Sequence, residues 1–144
     1  MKMQCQKRNN IQIDSGVYLY LALLLLILPV QYIMCFVLSG LLHELGHFLA
    51  LKIMKVPVFS LRITSSGALM QTGNLTPLQE LICAAAGPVT GMLTCMMGSV
   101  FPLLAVCAFV QTAYNLIPLY PMDGGRICKS CIAILIEKKN SLQR

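Results

Sequence analysis

From Val17 to Met54 the chain is almost uninterruptedly apolar for 38 residues, and this run limits the folds open to it. As one helix it would be about 57 Å long at about 1.5 Å per residue. The hydrocarbon core of a bilayer is about 30 Å thick. The run must therefore fold into two arms, and Pro29 with Gln31 is the corner. The first arm, Val17 to Leu28, is short; the second, from about Tyr32 to Met54, is long enough to span. Lys2, Lys7 and Arg8 ahead of the Leu-rich arm resemble the start of a signal peptide, but no small-x-small cleavage pattern follows, so an uncleaved first span is expected.

The rest of the chain repeats the pattern. Apolar residues make up 57% and charged residues 11% of the 144 positions, against about 25% charged in an ordinary soluble domain. The net charge is +6, yet the basic residues form no stripe that would track a nucleic acid, so no nucleic-acid partner is expected. They flank the apolar runs instead. Lys2, Lys7 and Arg8 precede the first, Lys52, Lys55 and Arg62 follow the second, and Arg126, Lys129, Lys138, Lys139 and Arg144 gather toward the C-terminus. The turns near Pro29 and Pro102 carry no charge. By the positive-inside rule this predicts an integral, multi-pass membrane protein with both termini cytoplasmic. The expected fold is an all-α membrane protein forming one domain over 1–144, with spans at about 17–30, 32–54, 77–100 and 103–136.

Two segments depart from simple spanning helices. In 57–73, Phe59, Leu61 and Ile63 alternate with Ser60, Arg62 and Thr64, and Ser65, Ser66 and Gly67 read as a turn, which predicts a β-hairpin at the cytoplasmic interface. The fourth apolar stretch is broken from Asn115 through Pro118 and Pro121 to Gly124 and Gly125. Broken backbone at membrane depth is tolerated only where protein buries it or a wet cavity receives it, so this break is a candidate site. Between these segments, Thr76-Pro77-Leu78-Gln79 is a capping-box helix start, and Gly87 and Gly91 have the spacing that lets membrane helices approach closely.

The chemistry lies in the second arm. The chain has two histidines, and both fall in His43-Glu44-Leu45-Gly46-His47, an H-E-x-x-H motif. On a helix the two imidazoles are about 40° apart around the axis and about 6 Å apart along it, so both reach one metal, with Glu44 about 60° from His47. Zinc suits such ligands, because catalytic sites use three protein ligands and leave a position for water. Asp123 is the other acidic residue well inside an apolar stretch, and it sits at the helix break. A helix-capping role would leave the neighbouring prolines and paired glycines unexplained, so Asp123 is assigned as third ligand, with one Zn2+ per chain. The seven cysteines read as reduced packing residues, including the lone pair Cys128 and Cys131, as do Met92, Met96 and Met97. Arg126 and Lys129 read as interfacial anchors.

With these residues in place, the chain resembles the site-2 protease family of intramembrane zinc metalloproteases, and within it the branch that processes membrane-held sigma-factor precursors during sporulation. The resemblance rests on His43-Glu44-Leu45-Gly46-His47, Ala86-Gly87-Pro88, and Asn115-Leu116-Ile117-Pro118 through Pro121-Met122-Asp123-Gly124-Gly125, covering roughly residues 15 to 136. It implies that His43, His47 and Asp123 hold zinc and that Glu44 is the catalytic base. The implied reaction is hydrolysis of a peptide bond in or near a transmembrane segment of a membrane-anchored, regulatory protein. Asn115 matches a family position near the substrate backbone, and Pro118 and Gly67 are further substrate-binding candidates. Gly91 stands where relatives often carry a polar residue. The chain ends without the further spans or nucleotide-sensing domain of the sporulation branch, so a minimal member or a fragment is expected, for which a regulatory or homo-oligomeric membrane partner would fit.

Two other readings compete. A metal carrier would want additional polar sites along the spans, and none is visible. A catalytically inactive zinc-binding membrane scaffold or assembly subunit would not need Glu44.

Overall fold

The computed structural model describes residues 10–64 and 67–142. Lys2, Cys5, Lys7, Arg8, Ser65, Ser66 and Arg144 lie outside the described residues, as does the side chain of Arg62. The chain runs β1 (Asn10–Ile13), α1 (Ser15–Ile27), α2 (Val30–Ile53), β2 (Val58–Thr64), β3 (Gly67–Thr72), α3 (Pro77–Cys95), α4 (Pro102–Asn115) and α5 (Asp123–Leu142). A short 3-10 turn, Met96–Ser99, extends α3.

Pro29 is the corner between α1 and α2, as expected from its missing N–H. The 13 residues of α1 reach about 20 Å and the 24 of α2 about 36 Å. α2 ends in a Schellman arrangement. Lys55 takes a left-handed φ of 57°, Val56 N–H donates to the Leu51 carbonyl at 3.0 Å, and Lys55 N–H donates to the Lys52 carbonyl at 3.1 Å. That stop releases the chain into β2.

The hairpin is present, with one addition and one correction. β2 and β3 pair antiparallel, and β1 pairs parallel with β2 on its other side, giving the order β1-β2-β3. Gly67 is not the turn but the first residue of β3, opposite Thr64. Four residues of β1 are too few to show a strand period; their pairing comes from the neighbouring β2.

Thr76 caps α3 as its sequence indicates. Its hydroxyl accepts from Gln79 N–H at 3.3 Å, and Gln79 Oε1 accepts from Thr76 N–H at 3.0 Å. α3 is the middle helix and packs against α2, α4 and α5. Close approach to α4 depends on Gly91, where a Cβ would fall on the Thr112 hydroxyl.

The fourth apolar stretch is broken where expected, into α4 and α5. α4 has 14 residues, about 21 Å. α5 begins after the 116–122 link and carries Arg126, Lys129, Glu137, Lys138 and Lys139 along its length. Among the described residues, Val30–Ile53 and Pro77–Ser99 are the two helices long and apolar enough to cross a membrane.

The interior is rich in small and polar groups. Ala50, Cys83, Ala84, Cys107 and Ala108 are buried together with Ser39, Thr94, Thr112 and Ser130. Ser39 Oγ donates to Gln111 Oε1 at 2.8 Å, tying α2 to α4. Most of the large apolar side chains face outward, Leu26 being 90% and Met96 80% exposed, while Ile33, Leu51 and Leu104 are buried. Small contacts inside and bulky aliphatics outside are what helix packing in lipid favours, where burying apolar surface between helices gains little.

Candidate metal centre

His43 and His47 lie one turn apart on α2 and are buried at 2% and 6% exposure. Asp123, the first residue of α5, is buried beside them. One atom from each converges: Asp123 Oδ2 is 3.0 Å from His43 Nε2 and 3.1 Å from His47 Nε2, and the two nitrogens are 3.3 Å apart. Neighbouring ligand atoms of a tetrahedral zinc with bonds near 2.0–2.1 Å are about 3.3 Å apart. The three residues, all buried, are the group among the described residues able to hold a metal ion.

Hydrogen bonding around the cluster sharpens this fit. His47 Nδ1 donates to the Cys83 main-chain carbonyl at 2.8 Å. A carbonyl only accepts, so the proton of the neutral ring sits on Nδ1 and the Nε2 lone pair faces Asp123. Asn115 Nδ2 lies 3.2 Å from His43 Nε2, in position to donate to that nitrogen. The His47 Nε2 lone pair, His43 Nε2 and a carboxylate oxygen thus converge in a buried place, an arrangement that suits a cation. The carbonyl behind His47 is the outer contact that ligating imidazoles usually make.

Room for the cluster comes from α3. A Cβ on Gly87 would stand 2.5 Å from His47 Cε1 and 2.6 Å from His43 Nε2. The start of α5 needs the same economy of volume, because a Cβ on Gly124 would meet the Ile117 carbonyl oxygen at 2.6 Å. The paired glycines after Asp123 therefore let the 116–122 link fold tightly against the helix it feeds. Tyr120–Pro121 in that link is a cis peptide.

The structure brings His43, His47, Asp123 and Asn115 together. Glu44 is half-buried on α2, next in sequence to His43. Pro118 is exposed in the link and Gly67 opens β3, so both lie outside the cluster. Arg126, expected as an interfacial anchor, instead reaches inward: its Nε donates to Glu80 Oε1 at 2.8 Å and its Nη1 to Asp123 Oδ1 at 3.4 Å. Sequence reasoning missed Arg126, Glu80 and the Cys83 carbonyl as parts of the site. The available signal was a basic residue three positions after the acidic ligand, the spacing of a helical neighbour.

No family model matches the chain. It is 30% identical over 118 residues to a zinc metalloprotease of Methanocaldococcus jannaschii, covering 72% of this chain and 34% of that protein. A second relative, from Synechocystis sp., is 29% identical over 106 residues, covering 62% of this chain and 28% of that protein. The chain spans about a third of the length of the curated relatives it matches. Among solved structures it is similar to the site-2 protease of Methanocaldococcus jannaschii, with a TM-score of 0.67 and 24% identity over 85% of this chain and 67% of that one. The two share a fold.

Proposed function

We propose that this chain is a zinc-dependent endopeptidase of the site-2 protease type, which hydrolyses a peptide bond in or near a transmembrane segment of a membrane-anchored regulatory protein. The observation that carries this reading is the meeting of His43 Nε2, His47 Nε2 and Asp123 Oδ2 at 3.0 to 3.3 Å inside a fold shared with a site-2 protease. The resemblance of the motifs around His43, Gly87 and Asn115 to the sporulation sigma-factor branch narrows the substrate to a membrane-held precursor.

His43, His47 and Asp123 hold one zinc ion. When bound, zinc supplies Lewis acidity, polarising a carbonyl and making water easier to deprotonate near neutral pH. Glu44 takes the proton from the attacking water and returns it to the leaving nitrogen. Asn115, with its amide 3.2 Å from His43 Nε2, offers a donor to the substrate backbone beside the metal.

His47 and His43 precede Met54 by 7 and 11 residues, so they lie about 10 to 16 Å below the end of α2. The exposed lysines Lys52 and Lys55 at that end support a cytoplasmic face there, which is also where water would enter. The β-sheet follows directly and, among the described residues, has β1 and β3 as its edges. Strand addition along one of them would hold a substrate segment unwound on its way to the metal, and Gly67, at the start of β3, and Pro118, in the 116–122 link, are the further residues proposed to contact it.

The intact Glu44 favours an enzyme over an inert zinc-binding scaffold. Co-expression with candidate single-span substrates, comparing wild type with Glu44→Gln, tests this. Cleavage by the wild type and none by the variant is expected; equal cleavage by both would sink the mechanism.

A further inference from the structure

Arg126 joins two carboxylates carried by different helices. Its Nε donates to Glu80 Oε1 at 2.8 Å, its Nη1 to Asp123 Oδ1 at 3.4 Å, and its Nη2 lies 3.8 Å from the Cys83 sulfur. Glu80 stands in the first turn of α3 and Arg126 in the first turn of α5. Asp123 therefore has its oxygens committed to opposite sides: Oδ2 faces both imidazoles and Oδ1 faces the guanidinium.

We propose that Arg126 is a positioning residue for Asp123, holding the carboxylate so that one oxygen faces the metal, and that Glu80 acts on the metal site through Arg126. This rests on the metal reading of His43, His47 and Asp123. A carboxylate without an outer partner turns about its last torsion and spreads its lone pairs, whereas the fixed fork of a guanidinium pins one oxygen. A lone positive charge beside a divalent cation would oppose metal binding. Glu80 offsets that charge at 2.8 Å and fixes the fork. The Arg126 and Glu80 side chains are 27% and 30% exposed, so solvent screens their pairing only in part. Of the three ligands, two are thereby braced from the opening turns of α3, His47 by the Cys83 carbonyl and Asp123 by Glu80 through Arg126.

The test measures zinc affinity by chelator competition on the full chain in detergent, with the visible spectrum of the cobalt-loaded protein reporting ligand geometry. Loss of an outer partner typically weakens metal binding by about 10- to 100-fold. Arg126→Gln is expected in that range with an altered cobalt spectrum, Glu80→Gln near the lower end, and the double variant no weaker than Arg126→Gln alone. The unfolding midpoint of the metal-free protein is followed in parallel. A midpoint that falls in Glu80→Gln while zinc affinity stays at the wild-type value means a mere tie between helices and overturns the proposal, as do losses that multiply in the double variant. If Arg126→Gln does not fold, the nearly isosteric Glu80→Gln decides. Asp123→Ala separates the two readings: zinc binding as tight as wild type there overturns the metal site and this inference with it. Its loss there, beside unchanged affinity in Glu80→Gln, overturns the inference alone.

Discussion

Gly87 on α3 stands directly against His47 on α2, so close that a Cβ would come within 2.5 Å of the ring carbon Cε1. The same atom would stand 2.6 Å from His43 Nε2, so one added methyl group would displace both imidazoles. Gly87→Ala should raise helix propensity by about 1 kcal/mol yet abolish stoichiometric zinc binding. Metal content of the purified variant, alongside a circular dichroism check that helices persist, decides it. Full zinc occupancy would show that α3 can recede.

Glu44 and Asp123 should separate cleanly. Glu44→Gln keeps its shape and touches no ligand role, so zinc should stay bound while turnover falls by about 10²- to 10⁴-fold, the usual contribution of a positioned acid-base group. Asp123→Ala removes a ligand and should lose both metal and activity. Metal analysis paired with a cleavage assay distinguishes the two patterns.

The reciprocal bonds of Thr76 and Gln79 secure the start of the helix that also carries Glu80 and Cys83. Thr76→Ala should cost about 1 kcal/mol of stability, read as a lower unfolding midpoint in detergent. An unchanged midpoint would mean that tertiary packing alone fixes this end of α3.

β3 pairs with β2 on one side, and successive N–H groups of a strand point alternately to its two sides. Proline placed in turn at Leu69, Met70, Gln71 and Thr72 should therefore divide into two sets. One set breaks the β2 pairing and destabilises the protein. The other removes donors from the open edge and should slow substrate cleavage with little change in stability. Uniform turnover across the edge-facing set would rule out strand addition at β3.

What the sequence disclosed was the part whose geometry is local. His43 and His47 are four positions apart, so one helical turn brings them together whatever surrounds them. The capping box at Thr76 and the break after Asn115 are local for the same reason. Asp123 was legible because an acid deep in an apolar stretch requires a partner. Arg126 with Glu80 was not: the two are 46 positions apart, and nothing in either segment alone says that α3 and α5 begin side by side. Gly67 was misplaced by one structural step, because a glycine after two serines reads as a turn while here it already pairs with Thr64. β1 was invisible because its partner, β2, lies about fifty residues on, with Asn10 beside Ser60. Within 103–136 the break was legible, while the charges that α5 carries at intervals are blurred by hydropathy averaged over the stretch.

The parallel pairing of β1 with β2 sets Asn10 next to Ser60 and Ile13 next to Ile63. A chain that leaves the sheet at Ile13 and rejoins it at Val58 forms a closed circuit with α1 and α2 inside it. The helix that carries both imidazoles is therefore tethered to the sheet at each end of its circuit. A force applied along the sheet would act on both tethers of that circuit at once. The segment that carries His43 and His47 is thus held from both of its flanks by neighbouring positions of one sheet.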